Sequence, residues 1–221
     1  MISDADDVAS TRRAALDAQL AAITGEMDGA NRAREIALPA CRRVIRCAGS
    51  SIRAIHQGDP ARAAGLADES EAELRIAQKA LAPFPSIKYA GFLHDAEKEY
   101  VEARAVARLV VNEPVPGPDE LRVGGAAWMR GLAEAASELR RHLLDLLRGG
   151  AVERSESLLA AMQDVYDALM VVDHPDALTG GLRRTLDALR AVLERTRGDV
   201  TTSVLQVRLQ QALTESGGQP R

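Results

Sequence analysis

The chain is 221 residues long, with a formal net charge of −4, 46% hydrophobic residues and only 3% aromatic ones. That length is ample for one well-buried core, and a core poor in aromatic and rich in Leu, Ala, Val and Ile argues against a sandwich or barrel and for closely packed helices. A mildly acidic whole excludes general attraction of nucleic acid, so any such binding has to come from a local basic surface.

The opening stretch MISDADDVAS lacks a basic region followed by an apolar one, so no secretory leader is expected. No run approaches the roughly 18 apolar residues of a membrane span. Cys41 and Cys47 are six residues apart in helical text, which turns them about 600° apart and onto different faces, unable to bridge each other. Free thiols suit a reducing compartment, and the expected location is the cytoplasm.

Glycine and proline punctuate the chain at long intervals, and the text between them predicts seven helices. The first runs from about Asp4 to Thr24. The second covers Asp28 to Gln57 and ends at Gly58, with Pro39 inside it expected to kink or divide it. The third begins at Pro60, a residue suited to a first turn, and reaches Leu81. Pro83 and Pro85 break the chain before a fourth helix from Ser86 to Val111, which the PVPGP loop closes. A fifth runs from Asp119 to Leu147 and is stopped by Gly149 and Gly150. A sixth spans Ala151 to Val172, and a seventh Thr179 to Thr214, followed by a tail from about residue 215 that is expected to be disordered.

No strand-like alternation, internal repeat or domain linker interrupts this order, so the expectation is one all-α domain over residues 1–221. In the last helix Leu182, Leu186, Leu189, Val192 and Leu193 form an apolar stripe that Val200, Val204, Leu205 and Leu209 continue. So long a stripe exceeds what one small bundle needs, which predicts self-association through helices.

The candidate chemistry is carboxylate chemistry. In GFLHDAEKEYVEA, Asp95, Glu99 and Glu102 follow at i, i+4 and i+7 along one helix face. Glu134 and Glu138 are i, i+4 on the next long helix, beside an apolar stripe of Leu132, Leu139, Leu143 and Leu146, with His142 one turn further. Like charges at these spacings repel, and a hard divalent cation with oxygen ligands offsets that repulsion. Mg²⁺ or Mn²⁺ held there could activate water against a phosphodiester. The bland alternative is a solvated acidic face, partly neutralised by Lys98 and Arg104. A di-iron bundle needs Glu-x-x-His pairs that are absent here, and no HExxH or phosphate-loop motif occurs. Arg42, Arg46 and Arg53 return to nearly one face of the second helix and could track a phosphate backbone; Lys88, Arg104 and Arg108 are further phosphate candidates. Tyr89, Phe92 and Tyr100 could stack bases or fill the core.

The order SIRAIHQGD, GFLHDAEKEYVEA, GLAEAASELRRHLLDLLRGG, QDVYDAL and LRRTLDALRAVLERTRGDV resembles the translin family over roughly residues 30 to 212. The resemblance implies a seven-helix bundle of the translin type, assembly into a homo-octamer-like shell, and binding of single-stranded RNA or DNA. Its translin-associated factor X (TRAX) branch implies an Mg²⁺- or Mn²⁺-dependent endoribonuclease. That branch places catalytic glutamates in a Glu-Tyr-Val-Glu stretch, reproduced by Glu99, Tyr100, Val101 and Glu102. A second acidic pair in an Asp-Leu-Thr-Gly-Glu stretch corresponds to Glu134 and Glu138, with glutamate replacing aspartate at 134. The implied catalytic and metal-binding set is therefore Glu99, Glu102, Glu134 and Glu138. The rival expectation is a non-catalytic single-strand-binding scaffold, and a third is a purely structural helical oligomer.

Overall fold

The computed structural model describes residues 2–217, with side chains described from Val8 to Glu215. Among the described residues every regular element is helical: α1 (Ile2–His56), α2 (Pro60–Leu81), α3 (Pro85–Lys88), α4 (Phe92–Leu109), α5 (Pro118–Leu121), α6 (Gly125–Arg148), α7 (Val152–Met170), α8 (Asp176–Thr179) and α9 (Leu182–Gly217). Among the described residues no helix is long and apolar enough to cross a membrane.

The first two expected helices are one. α1 runs unbroken through Gly25, Gly29 and Pro39 for 55 residues, about 80 Å at 1.5 Å per residue. Pro39 withholds an N–H from the carbonyl of Glu35, but both residues face solvent, where water can satisfy that carbonyl. Two other expected helices lose a short first turn, and the expected seventh begins only at Leu182, after the separate turn α8. Gly91 (φ 101°) separates α3 from α4, Arg122 (φ 52°) separates α5 from α6, and Gly180 and Gly181 (φ 63° and 87°) separate α8 from α9. The expected disordered tail is helical as far as Gly217, and residues 218–221 lie outside the described residues.

The second half of α1 buries Ala33, Ala37, Ala40, Cys41, Val44, Ala48, Ile52 and Ile55, a helical stripe of mostly small residues. It meets Ala63, Ala67, Leu74, Ala77 and Leu81 of α2. Two buried serines stitch this hairpin: Ser51 donates to the Ala63 carbonyl at 2.8 Å and Ser70 to the Val44 carbonyl at 3.1 Å. Asp59 caps α2 by accepting from the Arg62 amide at 3.0 Å. α4 packs on α1, α2 and α6, and α6 packs in turn on α7 and α9. Leu139 and Leu143 of α6 and Leu189 of α9 are completely buried, worth roughly 2 kcal/mol each.

Gly131 of α6 sets the spacing of the central pair. A Cβ there would fall 2.5 Å from the Lys98 carbonyl oxygen and 2.7 Å from Val101 Cβ. The two backbones thus approach as only glycine permits, at the level of the Glu99–Glu102 turn.

A polar network fixes the other side of α4. The Tyr100 ring is buried, and its hydroxyl donates to Glu71 Oε2 at 2.9 Å. Arg75, Arg104 and Arg122 donate to the same carboxylate at 2.9, 3.0 and 3.1 Å. Burial pushes Glu71 up, but the bonds from Arg75, Tyr100 and Arg122 outweigh it and hold the group down at about 2. A carboxylate depressed on folding contributes stability that is full above about pH 4.5 and is lost as pH falls towards 2. The thermal midpoint is therefore expected to drop over that acid window, and Glu71→Gln is expected to remove most of the slope in calorimetry across pH.

The apolar stripe of α9 divides in two. Leu182, Leu186, Leu189, Leu193 and Val200 are buried in the bundle, whereas Leu205, Leu209 and Leu213 are exposed. The first half of α1 likewise exposes Leu16, Leu20, Ile23 and Met27, spaced to share one face.

Candidate metal centre

Glu99 and Glu102 are successive outward residues of α4, and Glu134 projects from α6 where Gly131 lets the helices touch. One carboxylate oxygen from each of the three lies within 4.8 Å of the others. This is a spacing at which one hard cation could bind all three. Asp95, predicted on the same face, is exposed one turn back, outside this cluster.

The fourth glutamate is turned aside. Glu138 Oε1 lies 2.7 Å from Nε2 of His56, whose side chain is only 2% exposed and whose Nδ1 is buried without a partner. Glu138 nevertheless lines the same groove as Glu102 and Glu134, a cleft of about 780 Å³ between α4, α6 and α9. Arg130 and Arg184 line it too. Arg130 Nη2 lies 3.7 Å from Glu134, and its Nη1 3.3 Å from His94 Nε2.

The electrostatics show excess negative charge. Burial pushes Glu102 up, the charges of Glu99, Glu134 and Glu138 push it further, and Lys98 offsets only part, so the carboxyl stands at about 8. Lys98 is buried, and its ammonium donates to Glu99 Oε1 at 3.0 Å and to Glu134 Oε2. Burial alone would lower the Lys98 ammonium, but Glu134 and Glu99 together raise it.

The predicted basic residues lie elsewhere. Arg42, Arg46 and Arg53 are exposed on the outer face of α1, where Arg53 donates to the Ser50 hydroxyl at 2.7 Å. Lys88 sits 5.6 Å from the ring centre of the exposed Tyr89. Arg108 pairs with Glu113. Arg104 is committed to Tyr100, Asp68 and Glu71 rather than presented to solvent. Sequence reasoning passed over His56, Arg130 and Arg184 and counted Lys98 only as part of a solvated face. The i, i+4 spacing of Arg130 to Glu134 was a usable signal; the meeting of His56 with Glu138, 82 residues apart, had none in the sequence.

No family model matches the chain. An uncharacterized protein of Methanocaldococcus jannaschii is 30% identical over 187 residues, covering 81% of this chain and 80% of its own length. Among solved structures, AfC3PO is 31% identical with a TM-score of 0.79, covering 85% of this chain and 98% of its own. AfC3PO in complex with duplex RNA matches at the same identity and TM-score. The apo form of NeC3PO is 19% identical with a TM-score of 0.70, covering 81% of this chain and 93% of its own, a likeness of fold.

Proposed function

The chain belongs to the translin family, and we propose that it is an RNA-binding, TRAX-like metal-dependent endoribonuclease acting as a homo-oligomer on single-stranded RNA. The observation that carries this reading is the meeting of Glu99, Glu102 and Glu134, from two helices, within 4.8 Å of one another, with Glu102 and Glu134 lining the groove.

The donor set fits a hard divalent ion such as Mg²⁺ or Mn²⁺: all ligands are oxygens, and such an ion would balance the negative charges of Glu99, Glu134 and Glu138 that add to burial in pushing Glu102 up to about 8. Glu99, Glu102 and Glu134 would hold it, and His56 orients Glu138 alongside, a supporting contact of the kind that tunes metal ligands. The ion, when bound, supplies Lewis-acid polarisation of the phosphate and a more acidic water. The chain's own residues do the rest. Arg130 and Arg184 on the groove wall bind phosphate oxygens of the strand. A carboxylate of the set, Glu102 or Glu138, accepts the proton of the attacking water. Arg42, Arg46 and Arg53 give α1 a basic outer face for the strand beyond the cut, with Lys88 and Arg108 as further contacts.

The exposed apolar faces at the start of α1 and the end of α9 support assembly of copies, with an octamer as the expected count. Two free thiols, Cys41 and Cys47, are consistent with a cytoplasmic protein.

One observation favours the scaffold reading instead: Lys98 already neutralises part of the carboxylate cluster, as a protein that never loads metal would need. Fluorescent single-stranded and duplex RNA, each offered with Mn²⁺ or with chelator, separates the two. The proposal expects cleavage of the single strand with Mn²⁺ and none with chelator. Binding without cleavage in either condition would leave a scaffold, and equal cutting of duplex would remove the single-strand preference; the AfC3PO complex holds duplex RNA.

A further inference from the structure

The cation that the carboxylates require is present in the chain itself. Lys98 is one of only three lysines, with Lys79 and Lys88, in a sequence whose other basic residues of this kind are arginines. Its side chain is 10% exposed, and its ammonium touches Glu99 and Glu134, two of the three clustered carboxylates. The third, Glu102, offers an oxygen within 4.8 Å of theirs.

We propose that Lys98 is a built-in competitor for the divalent ion: its ammonium holds Glu99 and Glu134 in the metal-free protein and withdraws when metal enters, so that this side chain sets the metal affinity of the site. The inference rests on the metal-binding reading above and adds the chain's own control over it. Lysine is suited to this as arginine is not. Its charge is compact and sits on a flexible four-carbon stem, so it can occupy an ion-sized gap and swing out by rotamer change. A single charge facing three carboxylates is also an incomplete match, which a doubly charged ion improves. The withdrawn ammonium has a partner in reach, because Asp95 is exposed one turn back on α4 at i−3 spacing.

Two measurements test this without reference to cleavage. Calorimetric titration of Mn²⁺ into metal-free protein is expected to show at least about tenfold tighter binding in Lys98→Met and Lys98→Gln than in the wild type. Amine acylation read by mass spectrometry follows the wild-type side chain directly, with the exposed Lys79 and the half-buried Lys88 as internal references. Lys98 is expected to be protected in chelator and to become labelled when Mn²⁺ saturates the site. Unchanged or weaker affinity in both variants, or a Lys98 that stays protected under saturating Mn²⁺, would overturn the proposal while leaving the metal site intact. Failure of all three proteins to bind Mn²⁺ would overturn the metal reading and this proposal with it.

Discussion

Glu102→Gln protein is expected to cut RNA about 10²–10⁴-fold more slowly while binding it as the wild type does. The glutamine keeps the side-chain volume and removes the charge at one half-buried carboxyl of the cluster. The same substitution has a second, independent signature in the metal-free protein. Glu102 is raised on folding from 4.5 to about 8. A carboxyl raised on folding contributes stability that is fully present below its unfolded value and is lost as pH climbs through its folded one. Thermal stability in chelator should therefore fall between about pH 4.5 and pH 8, opposite in sign and separate in range from the acid loss that Glu71 produces. Glu102→Gln should flatten that slope in scanning calorimetry. A variant that cuts normally would remove Glu102 from the chemistry, and one with an unchanged slope would place the excess charge elsewhere.

The second large effect is expected at Gly131. Alanine is the better helix former by about 1 kcal/mol, yet here the added methyl meets the Lys98 carbonyl at 2.5 Å and Val101 Cβ at 2.7 Å. Neither is the free end of a flexible side chain, so the helices have to part. Overpacking of this kind costs about 1–3 kcal/mol, which for a chain of this size lowers the thermal midpoint by roughly 2–12 °C. Because the contact lies at the turn that carries Glu99 and Glu102, Mn²⁺ binding should weaken with it. Gly65→Ala in α2 is the control: no atom lies within 4 Å of its Cβ, and it should hold or gain stability. A Gly131→Ala protein as stable as that control would show that α4 and α6 do not need their close approach.

The carboxylates were legible in the sequence because helix periodicity is local: i, i+3 and i+4 spacings put Glu99 with Glu102, and Glu134 with Glu138, before any packing is known. Which of them would meet was not, since it depends on how α4 rotates against α6. Glu138 left the cluster for a histidine on α1, and Lys98 entered it from a position that reads as surface text in a run of charged residues. Helix content was legible for the same reason, and helix ends were less so. Gly25 and Pro39 read as breaks but sit on exposed stretches of α1 where the cost of each is small, while Gly91, Arg122 and Gly180 stop helices by adopting positive-φ backbone that residue type alone only suggests. The engagement of Arg104 was not legible, because an arginine's sequence position does not reveal whether a carboxylate has already claimed it, as Asp68 and Glu71 have claimed this one.

At about 100° per residue, Tyr100 and Arg104 project from α4 on the side away from Glu99 and Glu102. The Glu71 network that grips those two residues therefore fixes the angle at which the helix faces the groove. The aim of the carboxylates is set from behind, by residues that no RNA strand in the cleft would touch. Drift in the sequence around Glu71 could thus misalign the carboxylate cluster while leaving every groove residue in place.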